Sequence, residues 1–258
     1  MIDSNLRSAI SEHALSVYPA ECCGLVVAGQ YIPCRNIAQP ATEAFSIAPE
    51  DYANAEELGD IQAIVHSHPG DHARPSEADL TVCEAAGVPL WVIVSLGAQA
   101  DGSVAIEDWC EFGPTGYEAP LIGCEFSHGT NDCYGLIRRY YRAAYGVVLR
   151  DFDRSGHWWN DGHSSLYVDG YEAAGFTALR LDTEPQPGDV LLMKIRSRNN
   201  VPNHAAVYLG ADMILHHPWN APSRRDSLPR YRDHVTHILR YKEELSQTQF
   251  DVSASTAH

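Results

Sequence analysis

With 258 residues, 45% hydrophobic and 20% charged, the chain can fill one large globular domain or two ordinary ones. Its net charge of −16 sits mostly in the first half, where residues 1–110 carry three Lys/Arg against sixteen Asp/Glu. That balance excludes nucleic acid as an expected partner, because phosphate binding needs basic patches. No apolar run is long enough to suggest a membrane span, and the N-terminus lacks the basic and apolar regions of a secretory signal. Seven irregularly spaced cysteines form no disulfide framework and suit a reducing cytosol.

In chain order, Leu6, Ile10, Ala14 and Leu15 recur at helical spacing and predict a helix over 3–17, with Ser4 as its cap. Gly24–Ala28 and Tyr31–Cys34 read as strands around a Gly29-Gln30 turn. A helix is expected from the Pro49 region to Leu58, then a buried strand from Ile61 to Val65. Next comes His66-Ser-His68, whose imidazoles share one side because strand side chains alternate. Ser76 is placed to cap a helix running to Ala86, with Gly87 as its C-cap. Ser76 and Asp79, three apart, share a helical face. Two imidazoles and a carboxylate so arranged suit a tetrahedral zinc with one position left for water. Leu90–Leu96 and Val104–Phe112 complete an α/β unit.

His-x-His, seven residues, then Ser-x-x-Asp resembles the JAMM (MPN-domain) metalloproteases. The match runs through His66, His68, Ser76 and Asp79 without gap, and the family's upstream Glu would be Glu21. The resemblance implies a Zn2+ cofactor held by His66, His68 and Asp79. It also implies Glu21 as general base on the zinc water and Ser76 supporting the oxyanion.

Gly113–Pro120 holds two Pro and two Gly in eight residues and is the expected linker. The expected layout is therefore a JAMM-like α/β domain over 1–112, a linker over 113–120, an α+β domain over 121–245 and a flexible tail over 246–258. In the second domain Leu136, Ile137, Tyr140, Tyr141 and Ala144 make an amphipathic stripe that ends at Gly146. Cys133 opens that helix, where the backbone N–H groups and the dipole are expected to lower a thiol pKa. Gln186–Met193, Asn203–Gly210 and Met213–His216 read as three successive strands, which puts His204 and His216 on neighbours. The other six cysteines read as packing, and His72 and His217 as bystanders of the motifs. Trp158-Trp159 reads as aromatic packing or as a substrate-facing lip.

Asp132-Cys-Tyr-Gly-Leu136, Pro187-Gly-Asp-Val190 and His204-Ala-Ala-Val-Tyr-Leu-Gly210 resemble the NlpC-type papain-like cysteine peptidases. That resemblance implies Cys133 as nucleophile, His204 as the base that forms its thiolate, and His216 as the group that orients the imidazole. Two positions depart from it. Phe126 stands in the region where the family often carries a Tyr whose hydroxyl supports the oxyanion, and Tyr134 stands where many relatives carry Ser. Oxyanion support would then fall to the Cys133 backbone N–H and a donor that these motifs do not identify.

A JAMM half followed directly by an NlpC half is similar to a family of tail assembly proteins of lambda-like phages and prophages. That likeness implies phage tail tip proteins as partners and a place in the host cytoplasm during assembly or at the virion tail tip. It also implies cleavage of peptidoglycan stem peptides to help DNA through the wall. Two other readings stand beside it: an assembly factor using both folds as binding modules, and a cytosolic isopeptidase removing a ubiquitin-like tag.

Overall fold

The structure is a computed structural model and describes residues 2–154 and 156–243; the expected tail, 246–258, lies outside the described residues. The chain divides into two compact units, one ending at Tyr117 and the other beginning at Glu118. That division falls inside the Gly/Pro-rich stretch 113–120, which forms no helix or strand. Among the described residues no helix is long and apolar enough to cross a membrane.

The first unit contains α1 (Ser4–Val17), β1 (Cys23–Val27), β2 (Gln30–Cys34), α2 (Pro49–Glu56), β3 (Ile61–Pro69), α3 (Glu77–Ala86), β4 (Trp91–Ala98) and β5 (Val104–Phe112). Its sheet runs β2-β1-β3-β4-β5, antiparallel except for β3 and β4, which are parallel with α3 in the connection. Two-residue alternation sorts the core into two layers. Val26, Ala63, Val65, Val92 and Val94 pack with Ile10 of α1. Leu25, Val27, Ile64 and Trp91 pack with Ala55 of α2 and Cys83 of α3. His66, two residues past Ile64, therefore falls on the α3 side.

Two local expectations are corrected here. The cap of α1 is Asp3, not Ser4: its carboxylate accepts from the backbone N–H groups of Asn5 and Leu6. The β1–β2 turn is Ala28-Gly29, not Gly29-Gln30. Val27 pairs with Gln30, and both turn residues take positive φ, as a tight two-residue hairpin demands.

The second unit contains α4 (Cys133–Tyr145), α5 (Leu166–Gly170), β6 (Phe176–Leu179), β7 (Val190–Met193), β8 (His204–Gly210), β9 (Met213–His216), β10 (Arg224–Ser227) and β11 (Val235–Tyr241). One antiparallel sheet runs β10-β9-β8-β7-β11-β6. The expected stripe of α4 is buried along its whole length and packs on Leu192, Ala205, Val207, Leu215 and Leu239. Each large apolar side chain so buried contributes about 1.5–3 kcal/mol. Strand β7 is shorter than expected because Gln186–Asp189 forms a turn, closed by the Gln186 N–H donating to Asp189. Strands β6, β10 and β11 had no counterpart in the sequence reading.

Two candidate catalytic sites

The first site lies at the carboxyl end of β3 and the N-terminus of α3. His66 is fully buried and is stacked against Phe45 at 4.3 Å between ring centroids. Its Nε2 lies 3.2 Å from His68 Nε2 and 3.1 Å from Asp79 Oδ1, and His68 Nε2 lies 3.6 Å from Asp79 Oδ2. His68 Nδ1 donates to the His72 backbone carbonyl at 3.0 Å, which fixes the tautomer and aims the Nε2 lone pair into the cluster. The His72 ring is exposed, so only its main chain serves the site.

Asp79 is held by the N-cap of α3. Ser76 Oγ accepts from the Asp79 N–H, while Asp79 Oδ2 accepts from Ser76 N–H at 2.8 Å and from its hydroxyl at 2.7 Å. The Ser76 hydroxyl is therefore turned to the carboxylate. Burial pushes the Asp79 carboxyl up, but hydrogen bonds from His66, His68 and Ser76 outweigh it and hold the group well below the usual carboxylate range.

A proton on either imidazole makes this cluster a hydrogen-bonded set; with both Nε2 atoms unprotonated, three lone-pair donors converge and a cation suits the space between them. A tetrahedral ion with bonds of about 2.0–2.1 Å sets its donors roughly 3.4 Å apart. The imidazole nitrogens lie 3.2 Å apart and 3.1 and 3.6 Å from the two Asp79 oxygens, close to that spacing, so the side chains fit a metal.

Glu21 reaches the same site from across the sheet. Cys23 pairs with His66, and Cys22 N–H donates to Ser67 Oγ at 2.7 Å, so the register carried one residue further sets Glu21 opposite His68. Glu21 is 8% exposed, and burial pushes its carboxyl up to about 7 despite the pull of His68.

The second site is built on the N-terminus of α4 and the strands β8, β9 and β10. Asp132 caps α4 by accepting from Gly135 N–H, and Arg154 Nε donates to its other oxygen at 2.7 Å inside the protein. Gly135 is required by a close approach: a Cβ there would sit 2.1 Å from the Thr130 carbonyl oxygen. Cys133 is 6% exposed, and its sulfur lies 3.2 Å from the Tyr167 hydroxyl. The backbone N–H of Ala205 also points to that sulfur, which sets the thiol against the start of β8, where His204 stands. The expected low thiol pKa is not what the structure holds. Burial first, then the Asp132 charge, pushes the thiol up to about 11.

His204 and His216 meet as the neighbouring strands require, with His204 Nε2 3.0 Å from His216 Nδ1. The line then continues: His216 Nε2 lies 3.0 Å from Asp226 Oδ2 on β10. Asp226 also accepts from Arg224 Nε at 3.0 Å and Tyr231 hydroxyl at 2.9 Å. Those bonds overcome burial and hold its carboxyl down at about 2. A carboxylate at this end fixes every tautomer along the line. It accepts from His216 Nε2–H, so His216 Nδ1 must accept from His204 Nε2–H. That leaves the lone pair of His204 on Nδ1, the atom a general base would use. Burial, reinforced by His216 and His217, holds His204 down to about 3 and therefore neutral.

Asp226 was missed by the sequence reading. It lies ten residues past His216 in a polar stretch with no periodicity, and only the β9–β10 pairing brings it close. His217 is buried beside Phe126, its ring edge-on at 5.4 Å between centroids. Trp158 is buried against Tyr167, whereas Trp159 is half-buried among His128, His157 and Trp219. The six cysteines other than Cys133 are free thiols, and all but the half-exposed Cys110 are buried.

Comparison with known proteins assigns both halves. Residues 3–109 match the family of prokaryotic homologs of the JAB domain, and residues 123–240 match the NlpC/P60 family. The tail tip assembly protein K of Escherichia phage N15 is 37% identical over 241 residues, covering 91% of this chain and 93% of that protein. The protein of the same name from Escherichia phage lambda is 38% identical over 187 residues, covering 72% of this chain and 83% of that one. A solved NLP/P60-family structure from Staphylococcus aureus is 20% identical over 48% of this chain and 38% of its own, with a TM-score of 0.35, too loose to argue from. A JAB-type domain followed by an NlpC/P60 domain, together with identities of 37% and 38% over 91% and 72% of its length, places the chain in the tail tip assembly protein K family.

Proposed function

We propose that this is a phage tail tip assembly protein with two hydrolytic centres, and that the second cleaves peptidoglycan stem peptides at γ-D-glutamyl-diamino acid bonds. The line Asp226–His216–His204, ending in an Nδ1 lone pair beside the strand that holds the Cys133 sulfur, carries this reading. A buried thiol held above its ordinary range is a poor nucleophile alone, and the group assigned to take its proton is His204, next to Ala205 on β8. The Asp226 carboxylate, reached through His216, offsets the burial that keeps His204 neutral at rest.

In the first centre His66, His68 and Asp79 would hold a zinc ion, which supplies Lewis acidity to a water and a carbonyl. Glu21, near 7, suits a group that takes a proton from that water and returns it to the leaving amine. Ser76 acts on an oxyanion only after giving up its bond to Asp79; as it stands it positions the carboxylate. The bond cut here is a peptide or isopeptide of unassigned sequence. The partners are other tail tip proteins, and the places of action are the host cytoplasm during assembly and the tail tip.

Cys133→Ala is expected to abolish fragment release from purified sacculi. Unchanged release would move the chemistry elsewhere. The thiol's 6% exposure favours a second reading, an assembly factor whose folds only bind. Complementing a tail-deficient phage with Glu21→Gln and Cys133→Ala separates the two, since infectious particles from both variants would establish the binding role.

A further inference from the structure

The thiol site has a gap where an oxyanion donor belongs. The Phe126 ring carries no hydroxyl and packs against His217 and Trp219, at 5.4 and 4.9 Å between centroids. A hydroxyl reaches the nucleophile from another part of the chain. Tyr167, on the short α5, sets its phenol oxygen 3.2 Å from Cys133 Sγ. We infer that Tyr167 is a catalytic residue of this site, its phenol donating to the oxyanion that forms when Cys133 attacks a carbonyl. The inference rests on the cysteine-peptidase reading of the second domain.

Packing fixes where the phenol points. Its ring lies 5.0 Å from that of buried Trp158 and 6.3 Å from that of Tyr134, the residue after the nucleophile. Such support on both sides keeps a functional group within the tolerance that transition-state stabilisation needs. Burial and the neighbouring Cys133 and Asp132 push the phenol well above its ordinary range, so it stays protonated and remains a donor at working pH.

The step balances with groups already present. The thiol proton passes to His204, the sulfur bonds to the carbonyl carbon, and the C=O pair moves onto oxygen. A donor 3.2 Å from the sulfur is within reach of that oxygen, which is bonded to the same carbon. On collapse the C–N bond breaks and the amine leaves with the His204 proton. Water then cleaves the thioester, giving acid and free thiol.

The test compares the full-length wild type with Tyr167→Phe, which keeps the ring and removes only the hydroxyl. The probes are a soluble γ-D-glutamyl-diamino acid stem peptide and iodoacetamide. Alkylation of Cys133 by iodoacetamide forms no oxyanion, so it reports on the thiol alone. The expected result is a kcat lower by about 10²–10³-fold, with KM and the alkylation rate within about threefold of wild type. A kcat within twofold of wild type would overturn the inference. So would hydrolysis and alkylation changing in parallel: a parallel fall makes Tyr167 a support of the thiolate, and a parallel rise makes it a lid. A wild type that is alkylated but hydrolyses no stem peptide would instead remove the peptidase reading, and this role with it.

Discussion

The two sites solve opposite electrostatic problems. In the first domain two imidazoles and a carboxylate face one another at a spacing that suits a cation. In the second, a line of neutral imidazoles ends on a carboxylate, and the hydrogen bonds along it leave the His204 Nδ1 lone pair at its far end. On the proposed reading one site is completed by an ion from outside, and the other by groups of the chain alone. Their sequence footprints differ in the same way. His66, His68, Ser76 and Asp79 span fourteen residues of one strand–loop–helix unit, with Glu21 added from the neighbouring strand edge. Cys133, Tyr167, His204, His216 and Asp226 span ninety-four, brought together only by the sheet and by what packs on it.

The largest expected break of this comparison is Arg154→Met. It strands the buried Asp132 carboxylate under the cap of α4, and breaking such a pair costs about 3–5 kcal/mol. Urea unfolding should show the second domain's transition shifted down while metal binding by the first is unchanged. Equal loss in both would show that the two sites do not depend on separate cores.

Next in size is the response to zinc. At a hundredfold excess over Kd, binding stabilises the first domain by about 2.7 kcal/mol. Thermal unfolding with and without chelator measures this, and Asp79→Ala should abolish both the shift and the bound metal found by elemental analysis. A wild type purified without chelator and free of metal would contradict the zinc centre. The second domain should not respond to chelator at all.

Acid provides the converse test. His204 is held down to about 3, so below its ordinary value of about 6.5 the unfolded chain binds a proton that the folded chain does not. Stability is then present above pH 6.5 and lost progressively as pH falls toward 3. His217, held near 4 chiefly by burial, adds to the loss in the same direction. A denaturation midpoint of the second domain that stays flat from pH 6 to pH 4 would contradict the neutral imidazole line.

The smallest effect is expected from Asp226→Asn. An amide can present its carbonyl to His216 but supplies no charge, so hydrolysis of a stem peptide should slow by roughly tenfold without loss of fold. No change would make His216 sufficient by itself.

What the sequence settled by itself is whatever depends on neighbours along the chain. The helix of 77–86 with its Ser76 cap and Gly87 stop, the buried stripe of α4 and the zinc-type spacing all follow from periodicity and capping over a few turns. Small local choices escaped it where near-equivalent residues compete, as Asp3 and Ser4 do for one cap. Tertiary structure alone decided the rest. Asp226 enters the site because β10 pairs with β9, and Tyr167 because α5 sets its phenol against the Cys133 sulfur. The Cys133 thiol is raised rather than lowered because burial and the Asp132 charge outweigh the hydrogen bonds from Tyr167 and Ala205. These are contacts between segments distant in sequence, and a one-dimensional pattern carries no trace of the partner that a side chain meets only after folding.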